Sequence, residues 1–548
     1  MRRWQRLGGT WACVAFLALT ACSGGGGSGG SAISSSPSGG SGGTTTSSGP
    51  TWTPGVYEPA SDFIAQCENP RSGFDIEGNA FPDEPGSTTI ENFWLRSWTN
   101  ETYLWNDEVP DLNPASFSNR VDYFNRLKTS AVEPSGEDRD DFHFSQSTEE
   151  FLEERNSAPS ASYGVSYAGI STTPPRDFRV RYTDPGTPAA AEVGGLVNFI
   201  RGAQILTVDG VDLVSANSEA DVDALNAGLF PETAGETHIF EVLDPGAVAS
   251  RTVTLVSENL TSDPVNTVEV ISTGTGNVGY ILFNTFSPFA SEAEIVDAIQ
   301  QLQAANVTDL VLDLRYNGGG LLAIASQLSY MIAGPSFTAG RTFEDLRFND
   351  DAGGVNPVTG ETNNAVPFVD TTLGFSVVAG APLPVLNINR VFVLSTENTC
   401  SASESVINSL RGVDFEVVLI GDVTCGKPYG FYPTDNCGET YYTIQFQGVN
   451  DKGFGAYADG FVPGNNSFPF GVSVDGCTVA DDLDNALGDE SEALLAAALS
   501  YRDTGTCPVI TSSIVAESKT LSSGGPALSL PVSIPSTNRD MRLPEGSL

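Results

Sequence analysis

The sequence is poor in histidine, in lysine and in positive charge. Among 548 residues the only histidines are His143 and His238, and the only lysines are Lys128, Lys427, Lys452 and Lys519. Lys and Arg total 26 against 68 Asp and Glu, a net charge of −42. A site built on several histidine ligands is excluded, and a histidine base beside a nucleophile has almost nothing to draw on. The charge repels polyphosphate, which removes nucleic acid from the expected partners. Apolar residues make up 40% of the chain, enough to build packed cores. The length suggests three or four domains at roughly 100–200 residues each.

Residues 1–22 read as a secretory signal. Arg2, Arg3 and Arg6 form its charged start and Trp11 to Leu19 its apolar run, too short for a comfortable membrane span. Leu19-Thr20-Ala21-Cys22 resembles a bacterial lipobox, which implies cleavage before Cys22 and lipidation of its thiol. Ser23 follows, not Asp, and the resemblance then implies the outer membrane, facing the periplasm. Residues 23–60 are taken as a tether, Gly-, Ser- and Thr-rich as far as residue 50. Six cysteines remain beyond it, which suggests disulfides in an exported chain. Fifteen pairings are open; Cys425–Cys437 and Cys477–Cys507 are the short-loop choices.

Residues 61–157 carry helical stripes at Ile90 to Trp105 and Ser118 to Leu127, so a small helical N-terminal region is expected. Residues 158–262 change to short β-type runs: Tyr163–Tyr167, Phe178–Tyr182, Gln204–Val208, His238–Leu243 and Arg251–Val256. Helices are expected at Pro188–Val193 and Glu219–Leu225. The series Pro188-Ala189-Ala190, Gly195-Leu196 and Arg201-Gly202-Ala203-Gln204-Ile205 resembles a PDZ domain, which implies binding of an extended peptide tail at a sheet edge. Val197 to Ile200 is an insertion in that pattern. Residues 263–505 alternate strand and helix, which predicts an α/β core of mostly parallel βαβ units. An irregular insert, Asp345 to Pro384, is expected as a hairpin over the site. Residues 506–548 form a polar tail.

Three loops follow three strands of the inferred sheet: Arg315–Gly320, Glu397–Ser401 and Asp422–Lys427. Strand C-termini in such a sheet share one edge, where ligands sit. The unit 390–395, 403–410, 415–421 is one crossover, so Ser401 and Lys427 come side by side although 26 positions apart. A serine at a helix start beside a buried lysine suits a nucleophile and its base. Ala402, with Gly318 or Gly319, offers backbone N–H groups for an oxyanion. A purely structural reading competes: Ser401-Ala402-Ser403-Glu404 also matches a capping box.

Asp313-Leu314-Arg315-Tyr316-Asn317-Gly318-Gly319-Gly320, Ser401-Ala402-Ser403-Glu404 and Gly421-Asp422-Val423-Thr424-Cys425-Gly426-Lys427 resemble the carboxyl-terminal processing proteases, tail-specific serine peptidases of Ser–Lys type. The resemblance covers roughly residues 85 to 500. It implies Ser401 as nucleophile, with Ser403 as second choice, Lys427 as base, protein substrates with free C-terminal tails, and no metal or cofactor. Two departures stand out. The Ser401–Lys427 spacing is one residue longer than the family's, and Phe431 replaces a glutamine that orients the lysine. Tyr429, Tyr432 and Gln445 are candidates for that role; an inactive peptide-binding module and an esterase are the competing readings.

Overall fold

The computed structural model describes residues 49–508 and the backbone of Arg539–Asp540. The signal segment, Cys22, the tether to residue 48, Lys519 and most of the tail lie outside the described residues.

The packed body begins at Pro50, ten residues before the expected end of the tether. Trp52 Nε1 donates to Asp111, and Arg96 donates to the Val56 carbonyl while its guanidinium covers the Tyr57 ring. Aromatic residues end the Gly/Ser composition, and their burial fixes the chain.

The N-terminal region is less helical than its stripes suggest. Thr88–Thr102 is a helix of about four turns capped by Ser87, whereas Arg120–Phe124 and Thr148–Arg155 are short. Phe144–Ser147 leaves the region altogether and pairs antiparallel with Glu439–Tyr442 of the core. A disulfide between Cys67 and Cys437 fastens the same seam.

Residues 160–256 form a mainly antiparallel sheet from Val165–Ser171, Asp177–Thr183, Gln204–Val208, Thr237–Leu243 and Arg251–Val256, with a helix at Glu219–Leu229. The expected helix at Pro188–Val193 does not form. Gly194 and Gly195 take positive φ (64° and 84°) and turn Glu192–Val193 back onto Leu196–Val197 as a small hairpin. Left-handed φ at consecutive residues favours glycine, so this pair selects the turn.

The core sheet has six strands in chain order: β1 Val265–Thr273, β2 Gly276–Phe283, β3 Asp309–Asp313, β4 Arg390–Ser395, β5 Glu416–Gly421 and β6 Gly476–Thr478. β1 is antiparallel to β2; β2 through β6 are parallel. Successive right-handed crossovers moving one way along a sheet put their helices on one face. These helices are α1 Ala290–Ala304, α2 Leu322–Ala333 and α3 Ala402–Gly412; α4 Ala493–Thr504 covers the other face. The strands alternate accordingly. Leu310, Leu312, Val391, Val393, Val417 and Leu419 join the first core, while Val311, Phe392, Leu394, Val418 and Ile420 join the second.

The second half of the irregular insert is docked on the core, while its first half borders the cleft that Tyr429 lines. The buried Glu292 carboxylate of α1 accepts the N–H groups of Leu373, Phe375 and Ser376 and the amide of Gln327 on α2. Phe368 and Leu383 enter the core beside α2.

Candidate active site

β4 and β5 run in register to Ser395 and Gly421, so the loops leaving them start together. Asp422 N–H donates to the Ser395 carbonyl (2.9 Å), and Cys425 N–H donates to the Thr399 carbonyl (3.1 Å). Glu404, on the first turn of α3, then joins both loops with one buried carboxylate. Its Oε2 accepts Ser401 N–H at 3.0 Å and Lys427 N–H at 2.8 Å; its Oε1 accepts Gly426 N–H and the Thr424 hydroxyl. Because a single oxygen takes both, the backbone nitrogens of Ser401 and Lys427 are within about 6 Å of each other. Burial pushes the Glu404 carboxyl above its ordinary value, while these donated hydrogen bonds pull it back. A disulfide joins Cys400 to Cys425 across the same two loops. The expected Cys425–Cys437 pair does not form. Cys437 lies on the seam with the N-terminal region and takes Cys67, while Cys400 and Cys425 follow adjacent strands; Cys477–Cys507 is present.

Ser401 is fully buried, with φ 57° and ψ −113°. That is a costly conformation for a residue with a Cβ, held only where surroundings over-determine it. The turn has the shape of a capping box, but Ser401 Oγ itself makes no hydrogen bond. Ser403 is differently placed: its hydroxyl donates to the Asn317 carbonyl at 2.9 Å.

The glycine loop packs directly on this turn. The Asn317 carbonyl accepts Cys400 N–H, and the Asn317 side-chain amide donates to the Phe283 carbonyl. A Cβ at Gly319 (φ 107°) would sit 2.8 Å from Ser401 Cβ, so only glycine fits. The Gly319 N–H, one of the expected oxyanion donors, is already engaged: it donates to Asn317 Oδ1 at 2.9 Å. Side-chain capture at that turn holds the loop and takes the amide out of use. Ala402 begins α3, where N–H groups lack intrahelical acceptors, beside Gly319. The backbone of Arg539–Asp540 runs parallel to Gly320–Leu321, next to this loop.

Below the loop, Arg315 is completely buried among Asp313, Asp481 and Glu492. Burial alone would raise the Asp481 carboxyl, but Arg201 and Arg315 hold it down at about 2. Arg201 also lies over the Tyr316 ring, and Tyr182 stacks on that ring, so residues 160–256 touch the loop that carries Gly318.

Lys427 is fully buried. Its Nζ lies 4.3 Å from the centre of the Phe431 ring and 4.9 Å from that of Phe142. Phe431, the residue at the departure from the family pattern, is thus a wall of the lysine's enclosure. Phe142 was not foreseen; it comes from the N-terminal region, some 285 positions earlier. Of the other candidates, Gln445 Oε1 accepts Tyr432 N–H, the Tyr432 hydroxyl accepts from Asn356, and Tyr429 packs edge-on against Trp105. Tyr429, two residues past the lysine, also lines an open cleft of about 710 Å³ with Trp105, Glu133, Asp350, Tyr457 and Asp459.

The remaining lysines and histidines within the described residues are elsewhere. Lys128 Nζ donates to the Asp140 carbonyl, and Lys452 pairs with Asp414. His143 is stacked on Phe124, burial lowering its affinity for a proton, and His238 pairs with Asp209.

Residues 277–432, which include Ser401 and Lys427, match the model of peptidase family S41; residues 91–146 match the peptidase S41 N-terminal domain. The chain is 32% identical over 246 residues to a carboxyl-terminal-processing protease of Picosynechococcus, and 27% identical over 267 residues to the chloroplastic carboxyl-terminal-processing peptidase 2 of Arabidopsis thaliana. These alignments cover 44% and 48% of this chain and 49% and 44% of those proteins, so the chain spans about half the length of the curated relatives it matches. A putative S41 protease of Bacteroides fragilis superposes with a TM-score of 0.57 at 25% identity, over 75% of this chain and 97% of that one.

Proposed function

We propose that this chain, residues 277–432 of which match the model of peptidase family S41, is a serine endopeptidase that cleaves protein substrates near their C-termini. The neutral Lys427 amine takes the Ser401 hydroxyl proton as Oγ attacks the scissile carbonyl. N–H groups of Ala402 and Gly318 receive the developing oxyanion, with Gly319 committed to Asn317. Lys427 returns its proton to the leaving amine, then activates the water that hydrolyses the acyl-enzyme. The observation that carries this reading is the strained, buried Ser401, whose N–H shares one Glu404 oxygen with the N–H of Lys427.

Residues 158–262 serve in this proposal as the PDZ-like module that takes the substrate tail. Val165–Ser171 at an edge of their sheet supports strand addition, and their contact with Tyr316 offers a route from tail to loop. The chain works as a lipoprotein anchored through Cys22 at the outer membrane, facing the periplasm. Among the described residues no helix is long and apolar enough to cross a membrane.

The test is cleavage of an unfolded protein with a free C-terminal tail. Ser401→Ala and Lys427→Ala each lose activity by at least about a thousandfold while keeping the fold. Retained activity in both overturns the assignment. A serine-directed acylating probe separates a protease from a peptide-binding module: the wild type is labelled, Ser401→Ala is not.

A further inference from the structure

The catalytic reading assigns the attack to Ser401 and the proton to Lys427, but not the task of keeping their loops in register. β4 and β5 stop pairing at Ser395 and Gly421, six positions before Ser401 and Lys427 respectively. Beyond that point the loops are linked by two backbone hydrogen bonds, by the Ser395 hydroxyl donating to the Asp422 carbonyl, by the Glu404 carboxylate and by the Cys400–Cys425 disulfide. The disulfide is the covalent one. Cys400 immediately precedes Ser401, and Cys425 lies two residues before Lys427. Ser401 holds its unfavourable φ only as long as its surroundings fix it, and Cys400 is bonded directly to it.

We infer that the Cys400–Cys425 disulfide is a positioning cross-link of the catalytic pair, so that its reduction reversibly lowers the rate of peptide cleavage. The inference rests on the Ser401–Lys427 reading. Cys400 is buried and Cys425 is partly exposed, so a small dithiol attacks at Cys425 Sγ. The S–S bond breaks as a mixed disulfide forms on Cys425, and Cys400 leaves as thiolate and takes a proton. The second thiol of the reagent then displaces Cys425. Two electrons and two protons pass to the protein, and the reagent departs as its own disulfide. The bonds from backbone N–H groups and the Thr424 hydroxyl to Glu404, and the Cys425–Thr399 hydrogen bond, do not depend on the disulfide, so reduction weakens catalysis without abolishing it. The other two disulfides lie elsewhere: Cys67–Cys437 fastens the N-terminal seam, and Cys477–Cys507 ties β6 to the segment after α4.

The experiment is a redox titration of the full chain with dithiothreitol. Cleavage kinetics are followed beside mass-spectrometric mapping of each free thiol, with oxidised Ser401→Ala as reference. Loss of the 400–425 bond lowers kcat by about 10- to 100-fold with KM unchanged, the scale of a misplaced catalytic group. Reoxidation restores it. A Cys400→Ala/Cys425→Ala variant has the same low kcat in either redox state, and the acid limb of its pH–rate profile moves to higher pH because the amine is less enclosed. Cys477→Ala/Cys507→Ala keeps the wild-type redox response. Full opening of the 400–425 bond with kcat within twofold of the oxidised enzyme overturns the inference and leaves the catalytic reading intact. A rise in KM alone overturns it too, since that is a binding effect. Oxidised Ser401→Ala that cleaves like the wild type overturns the catalytic reading and the inference with it.

Discussion

Arg315 and Lys427 are both fully buried at the C-terminal edge of the same sheet, and they are housed in opposite ways. Three carboxylates surround the guanidinium: Asp313, Asp481 and Glu492. Two aromatic rings, Phe142 and Phe431, face the lysine. A guanidinium does not give up its proton, so burying it requires full compensation by counter-charge. An amine can, and an apolar enclosure penalises the ammonium. Ring faces favour a cation by about 0.5–2 kcal/mol, less than the several kcal/mol that desolvation of an ion costs, so these two rings support the neutral amine that the proposed mechanism requires. The guanidinium is a fixed strut beneath the glycine loop; the amine, in the proposed mechanism, changes its protonation.

That contrast can be broken experimentally. The largest expected effect is on chemistry: Lys427→Met loses at least about a thousandfold in kcat and melts no lower than the wild type, because an apolar side chain suits its surroundings. Arg315→Met does the reverse at the level of folding. It strands buried carboxylates and costs about 3–5 kcal/mol in denaturant unfolding, with activity falling only as the folded population falls. A Lys427→Met protein that unfolds as easily as Arg315→Met would erase the distinction.

Phe142→Ala sharpens it at an intermediate scale. Water then reaches the amine, kcat falls by about tenfold, and the acid limb of the kcat/KM profile moves to higher pH. An unmoved profile would make Phe142 packing alone.

The smallest effect concerns two carboxylates that burial holds protonated to higher pH. At the seam between residues 160–256 and the core, burial pushes Asp184 up to about 6; burial, with the charges of Asp263 and Asp184, pushes Glu294 up to about 7. The unfolded chain releases these protons first, so stability falls as pH rises from about 4 to 7 and is greatest below that window. Asp481, held near 2, acts in the opposite sense at more acid pH. Glu294→Gln flattens the fall in melting temperature between pH 5 and pH 8 by an amount equivalent to roughly 1 kcal/mol, allowing for partial exposure. An unchanged slope would place the titration elsewhere.

The same contrast explains what the sequence discloses. The core strands announce themselves because local alternation and short βα loops set them. The meeting of Ser401 with Lys427 follows from one crossover. That argument also reaches Cys400 and Cys425, which follow the same two strands; pairing cysteines by short sequence distance instead leads to Cys437. Phe142 carries no such signal, because its contact with Lys427 depends on how a separate region docks through Phe144–Ser147 and Cys67. The Gly319 amide is taken by a side chain two residues away, and no spacing rule distinguishes it from Gly318. At Pro188–Val193 apolar content suggested a helix, and two left-handed glycines decided otherwise.

The scarcity of lysine makes the central claim directly measurable. With only four lysines, a chain labelled with ¹³C at the lysine Cε gives four signals at most, and Lys427→Met identifies one of them. The account predicts that this signal loses its proton at a pH well below the others, which titrate near the ordinary lysine value of about 10.4. A Lys427 signal that titrates with the other three would contradict a lysine poised as base for Ser401.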